Sequence, residues 1–146
     1  MDKQKAQIWI ARVLVTAVFA INVQCAIQFI AWPESYTYAY QLSGASAEAV
    51  VRGYGICFLM WNATYPPVIA APHRYRVLFI VVIAQQLIGL VGESLLLASL
   101  GQAAGLGTLA ASITRFIIFD GAGAVLLVIA FALTMRAARS LKEPAE

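Results

Sequence analysis

Charge is what this 146-residue chain has least of: 12% of its residues are Asp, Glu, Lys or Arg, against 62% hydrophobic. A soluble domain carries about 25% charged residues, so a water-soluble globule is excluded and a membrane protein is indicated, in keeping with a mean hydropathy of +0.80. Histidine is represented once, by His73. That excludes bis-histidine haem and leaves a zinc site short of ligands. The two cysteines, Cys25 and Cys57, are no CxxC pair, so thioredoxin-like chemistry has no support. P-loop, GxSxG and dinucleotide fingerprints are also missing. The glycines of "GLVGES" and "DGAG" sit inside apolar runs, where close helix contact explains them better than phosphate binding. No cofactor and no metal are expected.

Four apolar runs are present, at about 8–31, 49–70, 77–100 and 109–135. Each reaches the roughly 20 residues that a helix needs to cross a bilayer, and together they leave no room for a soluble catalytic domain. The first run follows Lys3 and Lys5 but exceeds the roughly 7 to 15 residues of a signal-peptide core, so a retained helix is expected. Short connections make sequence neighbours spatial neighbours. The expected fold is therefore all-α: a single transmembrane domain over 1–146, an up-down four-helix bundle.

The net charge of +3, from 10 basic and 7 acidic residues, does not point to nucleic acid. Position matters more than the sum. Lys3, Lys5 and Arg12 open the chain, His73, Arg74 and Arg76 join spans two and three, and Arg136, Arg139 and Lys142 close it. The other two loops hold Glu34 and Glu48 or no charge, which puts both termini in the cytoplasm of a cell with an inner, plasma membrane. Trp9, Trp32, Tyr36, Tyr38, Tyr40, Tyr65 and Tyr75 fall near the span boundaries as an interfacial belt. Tyr36, Tyr38 and Tyr40 alternate, as along a strand edge or in a cap over the bundle. Pro66 and Pro67 must end or kink span two, with Asn62 and Thr64 placed to satisfy the freed carbonyls. Cys25 and Cys57 lie equally far from the first loop, at depths that permit a disulfide, although such cysteines usually serve as small apolar fillers.

Charges inside the spans carry the functional argument. Arg52, Glu93, Arg115 and Asp120 all fall in the outer half of the expected bundle. A lone charge there costs about 2.5 to 3.5 kcal/mol on insertion scales, so such residues face inward and pair. An ion-pair network with Glu93 as hub and Arg115 as its partner is expected. Gln86, Gly89 and Glu93 share one face of span three, Arg52, Gly55 and Leu59 one face of span two, and Phe116, Asp120, Gly123 and Leu127 one face of span four. Asn22, Gln24, Gln28 and Gln85 add amides, each sufficient as interhelical glue. The alternative without a ligand pairs Arg52 with Glu48 at the interface and lets Arg115 reach the outer headgroups.

The stretches "RGYGICFLMWN", "GLVGESLL" and "RFIIFDGAG", on a chain of this length and layout, resemble the small DoxX-like bacterial membrane proteins. The resemblance implies a four-helix membrane subunit associated with redox or quinone-linked complexes. Three functions are compatible with the residues. The first binds a membrane lipid, quinone or isoprenoid in an outward-facing polar pocket built from Arg52, Gln86, Glu93, Arg115 and Asp120. The second is an enzyme using Glu93 and Asp120 as acid and base on a hydrophobic substrate. The third is a small transporter working as a homodimer or with a membrane-complex partner.

Overall fold

A backbone inside lipid must satisfy its own N–H and C=O groups, which an apolar run achieves by coiling into a helix. The computed structural model, which describes residues 3–101 and 105–140, is helical along nearly all of them. Its elements are α1 (Lys3–Ala31), α2 (Glu34–Thr37), a 3-10 turn (Tyr38–Tyr40), α3 (Ala45–Asn62), α4 (Tyr65–Ala70), α5 (Arg76–Leu100) and α6 (Gly107–Ser140). Among the described residues there is no strand. Three helical segments there, Lys3–Ala31, Arg76–Leu100 and Gly107–Arg139, are long and apolar enough to cross a membrane. Lys142, counted among the basic residues above, lies outside the described residues, as do residues 102–104 of the last loop.

The run expected as one span over 49–70 is two helices. α3 stops at Asn62 and α4 starts at Tyr65, with both prolines in the first turn of the new helix. There the missing N–H groups cost no hydrogen bond, whereas the residue ahead of a proline resists the helical conformation. At the break Asn62 Nδ2 donates to Phe58 O at 2.7 Å and Thr64 Oγ1 lies 2.8 Å from Trp61 O, so the two side chains bond carbonyls near the end of α3, not those of Asn62 and Ala63 that the prolines deprive of an N–H partner.

α1 is the central helix. It packs on α3, α4 and α6, while α5 packs on α6 and touches α4. Its buried residues Ala11, Val15, Val18, Ala26 and Phe29 follow helical spacing along one stripe. Close approach depends on a glycine: a Cβ on Gly55 of α3 would sit 2.8 Å from Ala26 O and 2.9 Å from Phe29 Cβ of α1. The expectation that every helix packs on its sequence neighbour fails at one seam. α4 meets α5 beside the short connection between them, but α3 and α5 are in no more than marginal contact, so the bundle is open along its side.

The two ends differ. Toward the termini, Val15, Val18, Val68, Phe79, Val82 and Leu127 form a closed apolar core. At the other end the tyrosine segment is neither a strand nor an extended loop. It is α2 followed by the 3-10 turn, and it lies across the bundle as a cap in contact with α3 and α6. Gln41 ends the turn in the left-handed region, at φ 54°, and fastens it: its Nε2 donates to Gly105 O at 2.6 Å and its Oε1 accepts from Leu109 N–H at 3.2 Å. Tyr36 Oη donates to Gln28 Oε1 at 2.8 Å, tying the cap to α1.

Candidate functional site

Helical spacing puts Gln86, Gly89 and Glu93 on one face of α5 and Phe116, Asp120 and Gly123 on one face of α6, and these two faces meet. Each glycine makes room for a polar side chain of the other helix. A Cβ on Gly89 would land on Asp120 Oδ2, and one on Gly123 would lie 2.8 Å from Gln86 Nε2. In those recesses Gln86 Nε2 donates to Asp120 Oδ1 at 2.7 Å. The chain of bonds continues backward: Tyr65 Oη donates to Gln86 Oε1 at 3.3 Å, and Asn22 Nδ2 donates to Tyr65 Oη at 3.4 Å. Residues from α1, α4, α5 and α6 are thus joined in one network whose donors all point toward the Asp120 carboxylate. Such a network is stronger in a dry interior than in water.

Glu93 lies two turns beyond Gln86 on the same helix. Its Oε2 is buried and has no hydrogen-bond partner. Two cavities meet at this acid. The larger, about 430 Å³, lies under the cap between α1 and α6 and is lined by Cys25, Tyr40, Glu93, Arg115 and Asp120 among others. The smaller, about 240 Å³, follows the open α3–α5 seam and is lined by Tyr54, Trp61, Asn62, Gln85 and Glu93 among others. Asn22, Phe58, Glu93 and Asp120 line both. Phe29 organises the roof: its ring centroid is 4.7 Å from that of Tyr36 and 6.2 Å from that of Phe116. Burial in this roof pushes the Tyr40 phenol well above its ordinary value, with Tyr54 and Cys25 as smaller contributors, so it keeps its proton.

Of the residues singled out from sequence, Gln86, Glu93 and Asp120 come together. The ion-pair network does not form. Among the described residues neither Arg52 nor Arg115 pairs with Glu93 or Asp120, and Arg52 does not pair with Glu48. Arg115 is exposed at the rim of the larger cavity. It stands five residues from Asp120, about 140° around a helix of 3.6 residues per turn, so it cannot share that residue's inward face. Arg52 is exposed and lines neither cavity, because Val51 and Gly55 take the α1-facing side of α3 and the next position points away. Leu59 is exposed too, which breaks the Arg52, Gly55 and Leu59 stripe. Cys25 and Cys57 are free thiols, the first partly buried on the cavity wall and the second exposed.

Sequence reasoning missed Tyr65, which was assigned to the interfacial belt. It is 3% exposed and central to the network. The available signal was its place just before two prolines, since a helix restarted there points its first residue in a direction that the preceding periodicity does not foretell. Also missed was the aromatic wall of Tyr54, Phe58 and Trp61.

No family model matches the sequence, and no curated protein and no solved structure matches it. The DoxX-like resemblance therefore rests on the residues quoted for it.

Proposed function

We propose that this chain is a multi-pass protein of a bacterial inner membrane that binds the polar head of a lipid-like molecule inside its helical bundle. The observation that carries this reading is the convergence of Glu93 and Asp120, from two different helices, on two cavities that share them as lining, with one Glu93 oxygen buried without a partner. An ionisable group within a membrane segment marks a functional site unless a structural partner accounts for it, and among the described residues no cation pairs with this one. The larger cavity, about 430 Å³, has the size of a small-molecule site, which runs from about 300 to 1,000 Å³. Its lining is mainly apolar with polar groups contributed by α1, the cap, α5 and α6, a mixture that suits an amphipathic guest.

In this reading Gln86, Glu93 and Asp120 hold the head, Arg115 stands at the mouth, and Arg52 takes no part. With both termini on one side the number of crossings must be even, so in this reading the α3–α4 column crosses beside the three helical segments long and apolar enough to span. The basic end with both termini faces the cytoplasm and the tyrosine cap faces outward. In the same reading the chain serves as an accessory subunit of a membrane complex, as the DoxX-like resemblance implies, or assembles as a homodimer.

Mass spectrometry of lipid extracted from protein purified in mild detergent tests the proposal. One lipid, quinone or isoprenoid class should be enriched over the bulk membrane in the wild-type protein and depleted in Glu93→Gln and Asp120→Asn variants of unchanged helicity. An extract matching the bulk membrane in all three overturns it.

A further inference from the structure

The α3–α5 seam has a chemistry of its own. Its α3 wall is aromatic: Tyr54, Phe58 and Trp61 recur at helical spacing, with successive ring centroids 5.3 and 5.7 Å apart. Its α5 wall is recessed beside Glu93, where a Cβ on Gly92 would meet no atom within 4 Å. Two polar atoms in this lining are buried and have no hydrogen-bond partner, Asn62 Oδ1 and Glu93 Oε2. Asn62 itself is 3% exposed, so solvent does not serve it.

Both of these atoms are acceptors, and among the described residues no donor in the seam, Tyr54, Trp61 and Gln85 included, bonds to either of them. Asn62 Nδ2 is bonded to Phe58 O, Gln86 Nε2 to Asp120, and Tyr65 Oη to Gln86. The charged side chains that line the seam are Glu93 and Asp120, with no Lys, Arg or His among them. An anionic head is repelled here. A neutral hydroxyl supplies a hydrogen bond but leaves the acidic charge uncompensated. A cation with N–H donors answers every feature: the unpartnered acceptors, the carboxylates, and the aromatic faces, whose quadrupoles attract positive charge.

We infer that the seam binds the ammonium head of a membrane-dissolved primary amine, whose hydrocarbon tail leaves sideways between α3 and α5. This rests on the ligand-binding reading above and names the head group. Either a free long-chain amine or the aminoethyl head of a phospholipid presents that ammonium.

Trp61 provides the readout, in a Trp9→Phe, Trp32→Phe background and uncharged maltoside micelles. Dodecylamine should give a saturable change in its fluorescence, dodecanol should bind at least tenfold more weakly, and dodecanoate should not bind. Glu93→Gln and Asn62→Leu should each weaken dodecylamine at least threefold. Gly92→Leu fills the recess without touching the Gln86–Asp120 network and should abolish the response while helicity stays unchanged. A short-chain phosphatidylethanolamine that matches dodecylamine identifies a phospholipid head, and one that fails to compete identifies a free amine; both support the site. If dodecanol matches dodecylamine and Gly92→Leu removes both, the ammonium assignment falls and the pocket stands. If no probe saturates and purified protein carries only bulk lipid, both readings fall.

Discussion

The half of the bundle nearest the termini and the half beneath the tyrosine cap are made from the same apolar helices, yet one is solid and the other hollow. In the solid half Phe79 and Phe131 meet edge to face at 5.3 Å, and Val15, Val68, Val82 and Leu127 are 0% exposed. Its polar residue Thr134 is satisfied within its own helix, at 2.9 Å from Ala130 O. In the hollow half Glu93 and Asn62 each keep a buried, unpartnered oxygen. Small residues act in opposite ways at two helix contacts. Between α1 and α3 they let backbones close up, as Gly55 does against Ala26 and Phe29. Gly89 and Gly123 instead admit Asp120 and Gln86, so that α5 and α6 are held together by a polar bond in place of interlocked side chains.

If this contrast is right, the solid half carries the stability. Phe79→Ala should cost about 3 to 5 kcal/mol, the usual range for a buried phenylalanine, and Phe58→Ala, on the half-buried cavity wall, less than half as much. Equal losses in detergent-denaturation titrations would erase the distinction between the two halves. Next in size is Gly89→Ala. Its new methyl falls on the Asp120 carboxylate, and overpacking of that kind costs about 1 to 3 kcal/mol. The same titration checks it, and an unchanged midpoint would mean that α5 and α6 are less closely docked.

Gln86→Leu removes the link between Tyr65 and Asp120. Interhelical polar bonds in membranes average about 0.6 kcal/mol and reach about 1.7, so stability should fall by about 1 kcal/mol while retention of the co-purified ligand falls further. A loss confined to stability would recast Gln86 as glue alone.

The smallest effects belong to the cap. Gln41→Ala should leave the unfolding midpoint within about 1 kcal/mol, the worth of an ordinary hydrogen bond. It should also speed alkylation of Cys25 on the cavity wall in a Cys57→Ser background. Alkali should loosen the cap as well. The folded-state value of Tyr40 is raised above its ordinary 10.0, so the stability lent by the neutral phenol is intact below that pH. It is lost as the pH climbs from there toward the folded-state value. The tyrosinate absorbance that wild type shows over a Tyr40→Phe variant should appear only well above pH 10, and its appearance at the ordinary value would show that Tyr40 is not buried.

Much of this was legible in the chain. That Gln86 and Asp120 lie on helix-contact faces followed from helical periodicity, but their bond to each other did not. The proline break in span two followed from the missing N–H, but which carbonyls Asn62 and Thr64 bond did not. The partners of the arginines did not follow. Charge balance gave Arg115 to Glu93, but which way a residue one position off the packed face points depends on where the neighbouring helix lies. Tyr65 was misplaced for the same kind of reason, because periodicity cannot be carried across a broken helix.

Sequence by itself determined that this chain is helical and belongs in a membrane, because apolar runs of this length have no other way to satisfy their backbones in lipid. It also set which acids and amides share a face, since 3.6 residues per turn is a local property. Only the tertiary structure decided that α3 and α5 part, that Arg52 and Arg115 stay away from Glu93 and Asp120, and that two oxygens among the described residues are buried without partners. Those outcomes depend on how four separate helical surfaces fit together, and no local period encodes that fit.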